Sequence, residues 1–114
     1  MSKNVGWLAV GLAFTVCAAR GQPTPPPPKL TPSSQLPCLL AASEVTRNIY
    51  GAQFEYRYNL LFKNTCERDL KVEVTPDLGA PTMVNITPGK SIVWACGQLF
   101  APRCSATPKW RVAQ

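Results

Sequence analysis

From Phe54 to Lys63 the chain alternates with a period of two, and that alternation limits its folding more than any other feature. The even positions, Phe54, Tyr56, Tyr58, Leu60 and Phe62, are all apolar or aromatic. The odd positions are polar except for Leu61. Successive side chains of a strand point to opposite faces, so the pattern predicts a strand with one face on a core. On that reading Tyr56 and Tyr58 are core residues. Leu70–Thr75 repeats the alternation until Pro76 stops it. Thr82–Thr87 and Ser91–Cys96 are shorter β-rich runs joined by a Pro88-Gly89-Lys90 turn. Trp110–Val112 supplies a final short strand. Cys38–Ser43 carries a weak helical hint.

Val45–Tyr50 and Gln53–Lys63 are expected to pair as a hairpin. Gly51-Ala52 fits a two-residue turn with glycine at the first central position. That register sets Ile49 opposite Phe54, Val45 opposite Tyr58 and Ala41 opposite Phe62, so the apolar faces agree. It also sets Cys38 opposite Thr65, one place short of Cys66. A Cys38–Cys66 bridge therefore needs a bulge or a break, and the turn-prone Asn64-Thr65 pair offers one.

The N-terminus defines the compartment in which the cysteines are read. Met1–Asn4 carries Lys3, Val5–Val16 is uninterruptedly apolar, and the small residues Ala18, Ala19 and Gly21 follow. This is the layout of a secretory signal peptide over residues 1–21. The apolar run is too short for a bilayer that needs roughly twenty residues. An uncleaved anchor and a lipidated Cys17 are the alternatives, and Val16 before Cys17 fits lipidation poorly. Cleavage lowers the formal charge from +6 to +4, because it removes Lys3 and Arg20. It leaves Cys38, Cys66, Cys96 and Cys104, which read as two disulfides with three connectivities open.

Residues 22–37 hold seven of the chain's twelve prolines, four of them consecutive at Pro25–Pro28. Proline lacks the amide donor and favours extended backbone, so this stretch is expected to be a linker. The folded unit is then residues 38–114. The expected fold class is all-β: a small antiparallel β-sandwich or barrel stapled by two disulfides, preceded by a signal peptide and a Pro-rich linker.

Histidine is absent, which removes the usual general base and the commonest zinc ligand. No Cys-x-x-Cys pair or glycine-rich phosphate loop occurs, so no metal and no cofactor is expected. The carboxylates Glu55 and Glu73 fall on polar faces of different strands. Held together they would suit glycoside hydrolysis, although solvated surface charge is the ordinary explanation. The basic residues are dispersed, which argues against nucleic acid as a partner. Trp94 and Trp110 are either core residues or a sugar-stacking platform, and the alternation of Trp94 with Ile92 and Cys96 favours core.

The sharpest candidate surface is Cys96–Cys104. If these two cysteines bond, they close a loop presenting Leu99, Phe100 and Arg103. A short bridged loop loses little entropy on binding and offers apolar and arginine anchors. The plainer alternative is that Leu99 and Phe100 cap the core. The expected function is a non-enzymatic, exported binding or envelope-associated domain, secreted or periplasmic, with no stable membrane span after signal cleavage. Its expected partner is another extracytoplasmic protein or an envelope polymer. An inhibitor acting through the Cys96–Cys104 loop is the alternative, and a small carboxylate-dependent hydrolase is a third, weaker one.

Overall fold

The structure, a computed structural model, describes residues 28–113. The expected signal peptide, Cys17 and the linker as far as Pro27 lie outside them. The alternating segments become seven strands: β1 (Thr31–Pro32), β2 (Leu39–Tyr50), β3 (Gln53–Asn64), β4 (Leu70–Thr75), β5 (Thr82–Ile86), β6 (Ser91–Cys96) and β7 (Lys109–Val112). They form two antiparallel sheets, ordered β1-β2-β3-β6 and β5-β4-β7. The weak helical hint at Cys38–Ser43 fails, because Leu39–Ser43 pairs with Leu60–Asn64 and continues β2.

One core joins the two layers. Leu39, Leu60 and Phe62 of the first sheet meet Leu70, Val72, Val74 and Ile86 of the second, with Cys66 at the margin. Each such side chain contributes about 1.5–3 kcal/mol by leaving water. Trp94 and Trp110 pack against this cluster, and Trp110 meets Phe62 edge-on at 5.0 Å. Both tryptophans are therefore framework residues.

The hairpin has the expected register: Ile49 faces Phe54, Val45 faces Tyr58 and Ala41 faces Phe62. Gly51 opens the turn with φ of 61°, a value that only glycine adopts without strain. Beyond Lys63 the expected break is made by Asn64, which is fully buried. Its amide nitrogen donates to the Arg68 and Ile86 carbonyls, and its oxygen accepts the Cys66 N–H. The chain turns there, the Thr65 N–H reaches the Cys38 carbonyl, and the Cys38–Cys66 disulfide closes. The second disulfide is Cys96–Cys104. Two disulfides point to an oxidising, extracytoplasmic environment.

Part of the stretch read as linker belongs to the folded unit. Thr31 and Pro32 pair with Ala41 and Leu40 at the sheet edge, where a proline costs no ladder bond. Gln35 then clamps the opposite sheet, donating to the Trp110 carbonyl and accepting the Val112 N–H. The anchoring residues are polar, so no apolar periodicity announces them.

Candidate functional site

The hairpin is longer than the layers around it. β2 and β3 have twelve residues each, whereas β6 and β4 have six. Pairing of β3 with β6 stops at Tyr58 opposite Cys96. Beyond that point Val45–Tyr50 and Gln53–Tyr58 continue as a two-stranded arm. At 3.3–3.4 Å per residue it projects about 17 Å.

The apolar stripe of β3 does not stop where the core stops. Leu60 and Phe62 are buried, and Tyr58 is half-buried with its hydroxyl on the Ser105 carbonyl. Farther out the same face is open: Val45 is 54% exposed, Ile49 68%, Phe54 49% and Tyr56 50%. Tyr56 is therefore not a core residue, contrary to its alternation, because the second sheet does not reach it. Phe54 packs edge-on against Tyr56 at 5.8 Å. The Arg47 guanidinium lies over the Phe54 ring at 4.5 Å, a cation–π contact that leaves the charge in water.

The opposite face of the arm carries Tyr50, Glu55 and Arg57, and the Cys96–Cys104 loop closes on it. Glu55 is 2% exposed. Its carboxylate accepts the Leu99 N–H at 2.7 Å, the Arg57 guanidinium at 2.8 Å and the Tyr50 hydroxyl at 3.3 Å. Burial raises the pKa of this carboxyl, but those three donors outweigh it and hold the group below the usual carboxylate range. Gly97 makes the approach possible, since a Cβ there would stand 2.5 Å from Glu55 Oε1. Phe100 packs edge-on against Tyr50 at 5.1 Å.

Of the loop residues singled out by sequence, Leu99 and Phe100 are exposed at 37% and 52%. They sit beside the arm and do not cap the core. Arg103 is exposed and forms a bridge with Gly97 across the neck of the loop. Asp77 secures the loop's exit by accepting the Ser105 hydroxyl and amide, which lower its pKa. The arm itself, namely Val45, Ile49, Phe54 and Tyr56, and the anchor Glu55 are not picked out by alternation or cysteine spacing. A usable signal was present: a hairpin twice the length of its flanking strands must overhang them.

Glu55 lies on the arm, and Glu73 lies on the outer face of the second sheet, paired to Arg111 at 2.7 Å. A groove of about 230 Å³ opens between the sheets, lined by Thr31, Pro32, Ser33, Ala41, Ala42, Ser43 and Trp110. Its lining holds no acid or base. Among the described residues no group of three or more Cys, Asp or Glu is placed to hold a metal ion, and no helix is long and apolar enough to cross a membrane. The chain matches no family model, no curated protein and no solved structure.

Proposed function

We propose that this protein is an exported, non-enzymatic binding or envelope-associated domain that attaches to the extracytoplasmic envelope through the β2–β3 arm. The observation that carries the proposal is the exposed continuation of the core stripe over Val45, Ile49, Phe54 and Tyr56. Single exposed apolar residues need no explanation, but a contiguous patch on a projecting element marks an interaction surface. The two disulfides and the leader-like residues 1–21 support delivery outside the cytoplasm, to a secreted or periplasmic location.

The inhibitor reading draws on the same end of the molecule. Leu99 and Phe100 are displayed on a bridged loop whose backbone is tied to Glu55, so it loses little entropy on binding. The anchor is the Leu99 backbone amide, so alanine at 99, 100 and 103 removes the display without releasing the loop.

Cells producing the full chain test the proposal by fractionation. Wild-type protein should be retained with the envelope, and Ile49→Ser/Phe54→Ser should be released from it while remaining folded. Equal retention of the two proteins would sink the proposal.

A further inference from the structure

The arm supports a more particular inference, which rests on the binding reading above. Its apolar side chains are not confined to one face. Ile49, Phe54 and Tyr56 are open on one side, and Leu99 and Phe100 are open on the loop that covers the other. Between them the turn residues Gly51 and Ala52 carry no polar side chain, and the exposed Gln53 and Gln98 beside them are uncharged. A protein partner usually meets one face, and its footprint leaves the reverse side polar. A tip that displays large apolar side chains on both sides suits a medium that surrounds it.

Charge points the same way. Across residues 45–57 and 97–104 the sole carboxylate is Glu55, and it is buried against Arg57. Arg47 and Arg103 are exposed, so the outer half of the arm with its loop is net cationic, and the exposed Asp77 at the loop's exit is engaged by Ser105. The half-exposed ring of Tyr56 is of the kind that settles where hydrocarbon meets headgroups. Arg47 lies along the Phe54 ring, an arrangement that keeps its stem in an apolar layer and its head at phosphate depth.

We propose that the arm inserts its tip into the interfacial layer of an anionic lipid bilayer. Ile49, Phe54 and Phe100 enter below the headgroups, and Arg47 and Arg103 meet the phosphates. Three residues separate the Arg47–Tyr56 pair from the turn, about 10 Å of strand, comparable to the roughly 5–10 Å reached by interfacial elements. The insertion is shallow because the outer edges of the two-stranded arm have no further strand beside them, and hydrocarbon does not tolerate unpaired sheet edges.

Flotation of the disulfide-intact full chain tests this, using vesicles of phosphatidylcholine alone and vesicles one-quarter phosphatidylglycerol. Wild type should float with the anionic vesicles, and binding should weaken with salt. Ile49→Ser/Phe54→Ser and Phe100→Ser should each weaken it more than tenfold. Arg47→Gln and Arg103→Gln should each weaken it about fivefold at low salt. The arginine variants leave the core untouched, so they decide the matter if an apolar variant fails to fold. No flotation overturns the lipid inference. So does equal flotation of wild type and variants, which would assign binding to the N-terminal apolar segment. If flotation fails while the envelope retention described above still depends on Ile49 and Phe54, the partner is a protein or polymer. If retention is also independent of them, the binding reading falls as well.

Discussion

Glu55 organises the arm by what it touches. One carboxylate collects the Leu99 amide, Arg57 and Tyr50, and the absent side chain of Gly97 leaves it room. Glu55→Gln and Gly97→Ala should therefore fail in the same way, by releasing the loop. The measurement is hydrogen exchange at the Leu99 amide, which each variant should accelerate strongly. In the double variant the losses should not add, because both act on one contact. Additive losses would mean that Gly97 serves another purpose. The carboxyl is held below the usual range, so its contribution is complete above the unfolded glutamate pKa and is lost as pH falls through the lower folded value. Leu99 protection should be flat above roughly pH 4 and decline only below it. A decline already present at pH 6 would require a raised pKa and contradict this account.

At the scale of the element, the hairpin divides into a core half and an outer half with the same alternation but different surroundings. Leu60→Ala should cost about 2–5 kcal/mol in urea unfolding, because it empties a sealed site. Gly51→Ala should cost about 1–2 kcal/mol, because alanine strains at a φ of 61°, and the added methyl meets no neighbour, so the cost is in the backbone alone. A neutral Gly51→Ala would show that the turn relaxes. Strands β3, β4 and β6 and the hairpin register were legible from side-chain period and turn chemistry alone. The end of the core was not. Phe54 and Phe62 look alike in sequence, and only the reach of the second sheet separates them. Edge strand β1 was illegible for a different reason, since its anchors are Gln35 hydrogen bonds and a proline at a sheet edge.

The whole molecule is a small core held by two staples of unequal purpose. The Cys38–Cys66 bridge spans 28 residues and the Cys96–Cys104 bridge spans 8. In the chain-entropy model these lengths correspond to about 3.6 and 2.5 kcal/mol. Replacing Cys38 and Cys66 with serine should lower the stability of the whole domain by the larger amount. Replacing Cys96 and Cys104 should cost less, while freeing the loop and increasing its cleavage by protease. A larger global loss from the second pair would mean that the loop belongs to the core. The candidate loop was legible as a cysteine spacing, but its place beside the arm depends on Glu55, whose side chain read as ordinary surface charge. If the outer stripe of the hairpin is exposed for a purpose other than stability, its removal leaves the fold intact. The most direct test is urea unfolding of Ile49→Ser/Phe54→Ser. Stability within about 2 kcal/mol of wild type is the expected result, since strand propensity spans about 1 kcal/mol at each of the two positions. A loss of about 4 kcal/mol or more, the mark of emptied core sites, would contradict it.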